Sequence, residues 1–304
     1  MILGGVKVET VFVNREGQLR NGWWVAIFAL VLFCLGVPAT FATTALRHAG
    51  VPGAWLVPST FLVTLAATWL CTRMRKEPLA SVGFRLDRRW AVEFAAGTGL
   101  GAAVMVLAAV MVWTTGGLRF AVDPQRSLAG VLGGLVLFTF VALFEETLFR
   151  GFLFQRLRDG LGAPAAQIGL ALLFAFAHWG NPGMAGATKA WATLNIALAA
   201  VFLGLAYLRT GSLALPIGIH LGWNWTQGNV LGFGVSGTTD QHGWLKPVFL
   251  GRPDWITGGA FGLEASVFGV VAVLLGIGLL WRWRAPSAVP STAPAPAAAD
   301  PGSA

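Results

Sequence analysis

The chain is short of charge and of cysteine. Charged residues make up only 11% of its 304 positions and hydrophobic residues 56%, whereas soluble domains carry about 25% charged residues. This composition excludes an ordinary soluble protein and indicates an integral membrane protein in contact with the lipid bilayer. The two cysteines, Cys34 and Cys71, fall in apolar runs and argue against a disulfide framework. The net charge of +8 is therefore a topology signal, and we predict no nucleic-acid partner.

The sequence contains long apolar runs. A membrane-spanning helix needs about 20 apolar residues, and eight runs reach or approach that length. They cover about 22–46, 54–72, 91–114, 127–149, 164–179, 190–208, 212–229 and 261–281. The sequence therefore predicts an all-α fold, a polytopic transmembrane bundle of about eight helices.

The positive charges are distributed unevenly between the connecting segments. With eight spans, 15 Lys and Arg lie on the side of the termini and six on the opposite side, so we expect both termini in the cytoplasm. The predicted organisation is a cytoplasmic segment at 1–21, a transmembrane domain at 22–285 and a disordered Pro/Ala-rich tail at 286–304. The stretch at about 230–260 is predicted to be an external loop. The basic, tryptophan-rich composition favours a bacterial plasma membrane.

Two adjacent glutamates stand near the end of the fourth apolar run, in Phe-Glu145-Glu146-Thr-Leu-Phe-Arg150. An unpaired charge at the bilayer centre costs about 2.5–3.5 kcal/mol and usually marks function. Residues four apart share a helix face, so Glu146 can pair with Arg150. Glu145 lies about 100° further round the helix and is left free for another role. The alternative is that both carboxylates belong to an interfacial salt-bridge cluster with nearby arginines.

Two later runs carry histidines. His178 ends the fifth run, and His220 and Asn224 share a face of the seventh, one turn after Pro216. Simpler interpretations are an interfacial histidine and an interhelical hydrogen-bond pair. Gly218 and Gly222 bracket His220 at the spacing that lets helices approach closely. We therefore expect His220 to lie at a helix–helix contact.

Together these side chains could hydrolyse a carbonyl compound. A carboxylate in an apolar pocket, here Glu145, becomes a better general base, and a neighbouring histidine can orient a water. A second histidine and an asparagine amide can donate to a developing oxyanion, a contribution of about 3–4 kcal/mol per donor. Spacing places no serine or cysteine as a nucleophile, so water is the predicted attacking group.

The three motifs Glu145-Glu146-x-x-x-Arg150, Phe174-x-x-x-His178 and His220-x-x-x-Asn224 resemble, in this order, those of the CPBP family. That family comprises type II CAAX prenyl endopeptidases and the bacteriocin-processing or immunity proteins also called Abi proteins. The similarity covers about residues 125–230, which would form the protease core.

The resemblance implies an intramembrane endopeptidase in which Glu145 and His178 hold the attacking water and His220 and Asn224 form the oxyanion hole. Glu146 and Arg150 would be structural. The family is described both as glutamate-type and as metal-dependent. We favour no cofactor, although zinc is possible, with Glu145, His178 and His220 as its ligands. The chain has no H-E-x-x-H motif that would support zinc.

The predicted substrate is a membrane-associated peptide or protein, because bacteria generally lack prenylated CAAX proteins. Two other functions stay open on sequence alone. One is a non-enzymatic membrane scaffold or bacteriocin-immunity protein that keeps the helical framework. The other is a proton-coupled transporter that uses the charged set as a relay, although the chain shows no internal repeat of the kind many transporters have.

Overall fold

The computed structural model describes residues 2–3, 6–7, 9–14, 16–239 and 243–283. The predicted tail at 286–304, together with Asp240 and His242, lies outside the described residues. The helices are α1 (Glu9–Phe12), α2 (Asn21–His48), α3 (Gly53–Leu56), α4 (Ser59–Met74), α5 (Arg88–Thr114), α6 (Leu128–Arg150), α7 (Phe152–Leu161), α8 (Ala163–Ala177), α9 (Gly186–Thr210), α10 (Ala214–Trp225), α11 (Asp254–Thr257) and α12 (Val267–Arg282).

Short elements join these helices. Three single turns of 3₁₀ helix cover Leu79–Val82, Gly259–Phe261 and Leu263–Ala265, and a π turn at Thr226–Val230 extends α10. The strands are β1 (Ile2–Leu3), β2 (Val6–Lys7), β3 (Leu118–Val122) and β4 (Leu245–Phe249). Each of the two sheets is an antiparallel pair, β1 with β2 and β3 with β4.

The predicted helical bundle is confirmed, since each of the eight apolar runs contains a helix. Within the described residues, five helical segments are long and apolar enough to cross a membrane, and the helices α8, α10 and α12 are shorter. The five are Asn21–His48, Gly53–Met74, Arg88–Thr114, Leu128–Leu161 and Gly186–Thr210. The chain is therefore an integral membrane protein.

Helix α10 lies at the centre of the bundle. Every residue from Ala214 to Asn224 is buried, and the helix packs against α5, α6 and α9. Helix α9 packs in turn against α8 and α12, while α4 lies against α6, and α2 lies against α4 and α7. The seventh apolar run is thus apolar because protein surrounds it, rather than because it faces lipid on all sides.

Four glycines explain how closely α5 and α10 cross. A Cβ atom at Gly97 or Gly101 would collide with the α10 backbone at Leu215 or Ile219, and one at Gly218 or Gly222 would collide with the α5 backbone. The predicted small-residue motif of α10 therefore faces a second one on α5, and together they let the backbones touch. This crossing fixes the position of α10, and with it the depth of the polar residues that α10 carries.

The crossing makes a testable prediction for two glycines of the same helix. Replacing Gly101 by alanine is expected to lower the free energy of unfolding by about 1–3 kcal/mol, since the added methyl group overpacks a backbone contact. Gly99 is exposed, and a methyl group added there would meet no other atom within 4 Å, so Gly99→Ala is the matched control. Thermal melting of the detergent-solubilised protein distinguishes the two. Equal melting temperatures for both variants would show that the helices do not cross at these glycines.

The segment at 230–260, predicted to be an ordered or semi-ordered external loop, contains a strand in its described part. Its strand β4 pairs with β3 from Leu118 opposite Phe249 to Val122 opposite Leu245. The Phe233 ring packs edge-on against the rings of Phe120 and Phe249 at centroid distances of 6.2 Å in both cases. Aromatic and β-branched residues on both strands account for this pairing, and it holds the segment against the end of the bundle.

Candidate active site

A buried ion pair on α6 anchors the site. The Arg150 guanidinium lies 3.1 Å from Glu146 Oε1, and the two side chains are 4% and 0% exposed. Arg150 also donates to the Ala200 carbonyl on α9 at 3.0 Å. Its guanidinium stacks over the Phe174 ring of α8, 5.0 Å from the centroid. The pair that the i, i+4 spacing predicted is thus present, and it ties three helices together.

Glu145, the neighbour of this pair, faces a different part of the protein. Its carboxylate lines a cavity between α6, α8, α9 and α10. The atom Oε2 is buried and makes no hydrogen bond within the described part of the chain, and it lies 3.8 Å from His220 Nε2. One carboxylate is therefore committed to Arg150, whereas the other has no such cation and lines the cavity.

His178 follows α8 directly and is half-buried beside the same cavity. Its Nδ1 lies 2.7 Å from the Phe174 carbonyl oxygen one turn earlier. Because a carbonyl can only accept, Nδ1 carries the hydrogen, and in the neutral ring Nε2 keeps its lone pair. The Phe174 ring packs against the imidazole, with 4.7 Å between the two ring centroids. The second motif thus places an acceptor nitrogen of fixed tautomer at the cavity.

His220 lies on α10 and is 8% exposed, in agreement with the predicted helix–helix contact. Its Nδ1 is 2.8 Å from Glu146 Oε1, the oxygen that also binds Arg150. Since an ionised carboxylate only accepts, Nδ1 is the donor. Asn224, one turn later and 7% exposed, makes no side-chain hydrogen bond to any described residue. Its amide is therefore free to bind a group that enters the cavity.

The cavity brings the predicted catalytic residues together. It has a volume of about 660 Å³, and Glu145, His178, His220 and Asn224 all line it. Most of the remaining wall is apolar, with Phe, Leu, Ile, Val and Ala side chains from α6, α8, α9 and α10. Glu146 and Arg150 are not part of the lining and lie behind His220. The roles assigned to these six residues from sequence stay predictions.

Sequence reasoning missed part of the polar wall. Glu264, Ser236 and Asn181 also line the cavity, as does Asn195, which the sequence marks as a polar residue in the middle of the sixth run. Glu264 carries the only charge in the eighth apolar run. The signal that singled out Glu145, an isolated charge in an apolar run, could therefore have found it. Ser236 and Asn181 lie in turns and give no such signal.

A zinc site was the open alternative for Glu145, His178 and His220. Among the described residues, no three His, Cys, Asp or Glu side chains come close enough to hold a metal ion. A catalytic zinc needs three protein ligands at about 2 Å, and zinc stays an alternative predicted from the sequence.

Comparison with known proteins gives one match. Residues 127–226 match the family model described as "Type II CAAX prenyl endopeptidase Rce1-like". This segment falls inside the predicted core at 125–230 and contains all three motifs. No curated protein matches the chain. The match covers 100 of the 304 residues, and residues 127–226 thus form an Rce1-like domain, similar to that of type II CAAX prenyl endopeptidases.

Proposed function

We propose that this protein is an intramembrane endopeptidase that hydrolyses a peptide bond of a membrane-associated peptide or protein with a water molecule held by Glu145 and His178. One observation carries the proposal: a largely apolar cavity presents a carboxylate with a free buried oxygen, an imidazole of fixed tautomer and an unpaired amide together. The Rce1-like domain supports the class of reaction. The roles of the individual residues are inferred from the geometry.

Glu145 acts as the general base. Its carboxylate accepts a proton from the water at the cavity, while His178 Nε2 accepts a hydrogen bond from the same molecule and orients it. The resulting hydroxide attacks the substrate carbonyl carbon. The proton on Glu145 then passes to the nitrogen of the breaking C–N bond, so that a carboxyl group and an amine leave. An apolar wall strengthens these interactions because it excludes bulk water.

His220 and Asn224 stabilise the oxyanion. The Nδ1–H of His220 is committed to Glu146, so only the doubly protonated imidazolium can donate from Nε2. Charge balance favours that form, because Glu145 and Glu146 bring two negative charges and Arg150 one positive charge to the cluster. The amide of Asn224 supplies the second donor one turn away on the same helix face. Glu146 thereby orients His220 in addition to binding Arg150.

The cavity also indicates a substrate class. A volume of about 660 Å³ accommodates a few residues of peptide, and the apolar lining favours apolar side chains around the scissile bond. A peptide that reaches this depth must come from the bilayer or its interface. We therefore infer that the partners are the lipid bilayer and a membrane-associated peptide or protein. A bacterial plasma membrane with both termini in the cytoplasm stays the predicted location.

The test compares protein termini in membranes. Cells that carry the wild-type chain or Glu145→Ala at matched expression are analysed for the N- and C-termini of their membrane proteins. We expect termini that occur with the wild type and vanish with the variant, and these also identify the substrate. If the folded variant leaves every terminus unchanged, the enzyme proposal is wrong and a scaffold or immunity protein becomes the better account.

A further inference from the structure

Glu264 has no part in the reaction just described, although it lines the same cavity. It is 5% exposed and precedes α12, in the 3₁₀ turn Leu263–Ala265. A buried carboxylate is costly unless its oxygens are satisfied. Oε1 accepts from Trp223 Nε1 at 3.2 Å, and Oε2 accepts from Ser236 N at 2.6 Å and from Ser236 Oγ at 3.1 Å. Such a cluster of donors indicates that the carboxylate has a specific task.

Ser236, one of the two residues that Glu264 contacts, lies in a strained turn. Val235 and Thr238 exchange two backbone hydrogen bonds of 2.9 Å each, and between them Ser236 and Gly237 have φ values of 48° and 84°. This is the left-handed conformation of a tight hairpin turn, which favours glycine or asparagine at both central positions. A serine is held there because Glu264 binds both its backbone N–H and its hydroxyl group.

Hydrogen bonds connect the strained turn to the loop that begins at His178. The Ser236 carbonyl accepts a hydrogen bond from Asn181 Nδ2 at 2.9 Å, and the Asn181 backbone N–H donates to the His178 carbonyl at 3.0 Å. Continuous hydrogen bonds therefore run from Glu264 through the turn to the loop that carries the water-binding histidine. On its other oxygen Glu264 holds Trp223, the residue directly before Asn224 on α10.

We propose that Glu264 is a positioning residue for hydrolysis, which sets His178 through Ser236 and Asn181 and sets Asn224 through Trp223. The inference rests on the proposed function, because His178 and Asn224 matter only if they act on a substrate. Glu264 touches neither water nor peptide in this account. Through these contacts it connects the loop that carries His178 to helix α10, which carries Asn224. The positions of both side chains relative to the scissile bond are thereby fixed.

The test uses the small number of histidines. The chain has four, and the His48→Asn, His242→Asn background leaves only His178 and His220. In the full-length, ¹⁵N-histidine-labelled protein, nitrogen NMR shifts report which ring nitrogen carries the proton, and no substrate is needed. We expect His178 to be protonated at Nδ1 alone. In Glu264→Gln, which cannot accept from all three donors, we expect a mixture of the two tautomers.

The second readout is kinetic. The substrate is a peptide that contains the bond whose cleavage produces the termini found only with the wild type. With this peptide, Glu264→Gln is expected to lower kcat on the order of tenfold or more, with little change in KM, because residues that support an active site have effects of this size. Glu93→Gln is the matched control, because Glu93 pairs with Arg89 at 2.7 Å on α5, outside the cavity. If Glu264→Gln does not fold, Asn181→Ala removes a later link in the chain and is expected to shift both readouts in the same direction.

The outcomes separate this inference from the proposed function. Unchanged His178 tautomer and unchanged kcat in both Glu264→Gln and Asn181→Ala overturn the inference, even if the wild type cleaves peptide. A changed tautomer in a chain whose wild type cleaves nothing supports the hydrogen-bonded link and contradicts the proposed function. A changed tautomer together with a loss of kcat, while Glu93→Gln matches the wild type, supports both.

Discussion

Arg150→Ala is expected to lower the free energy of unfolding by about 3–5 kcal/mol, the usual cost of removing one partner of a buried ion pair. The loss leaves Glu146 fully buried without its guanidinium partner and also removes the hydrogen bond to the Ala200 carbonyl. Thermal melting in detergent and the amount of protein in membranes both measure the effect. We expect a much lower melting temperature and little accumulated protein.

Two comparison variants sharpen this prediction. Arg158 is 39% exposed and pairs with its neighbour Asp159, so Arg158→Ala is expected to cost less than about 1 kcal/mol. The double variant Glu146→Gln, Arg150→Met removes both charges and keeps an acceptor for His220. It is expected to recover part of the stability that Arg150→Ala loses. An Arg150→Ala protein that accumulates and melts like the wild type would refute the structural role of the pair.

Asn224→Leu is expected to lower kcat by about 10²–10³-fold, the effect of removing one oxyanion-hole donor. Leucine has nearly the shape of asparagine, and the Asn224 amide has no hydrogen-bond partner among the described residues, so stability should be retained. Asn21→Leu, at the first residue of α2 and outside the cavity, is the control. Cleavage rates under saturating peptide and melting temperatures are measured together.

The outcome for Asn224 decides between two uses of its amide. A loss confined to kcat indicates that the amide acts on the transition state, whereas a rise in KM at constant kcat indicates simple substrate binding. A variant that keeps both constants would show that Asn224 is no oxyanion donor, and His220 alone would then have to carry that charge.

Local patterns predicted much of the molecule because they depend on neighbours along the chain. Apolar run length gave the helices, and i, i+4 spacing gave the pair of Glu146 with Arg150. The glycine spacing around His220 predicted its place at a close helix–helix contact, which α10 makes with α5. These features depend on the spacing of residues along a single helix, and this spacing can be taken from the sequence itself.

Contacts between distant segments could not be predicted in the same way. The hydrogen bond of His220 to Glu146 joins residues on different helices, and neither motif shows that Glu146 binds both Arg150 and His220. The pairing of β3 with β4 joins two loops. Ser236 adopts a positive φ although it is not glycine, and only the buried carboxylate of Glu264 explains it. Such positions become visible once packing is known.

The most direct test of the account is cleavage by the purified chain alone in lipid vesicles. The wild type and Glu145→Gln are reconstituted at equal amounts, with equal melting temperatures, and given the peptide that spans the termini found only with the wild type. We predict cleavage at that bond by the wild type and a loss of about 10²–10⁴-fold in Glu145→Gln, since the amide cannot accept the proton of the water. Cleavage by Glu145→Gln at the wild-type rate would contradict the account.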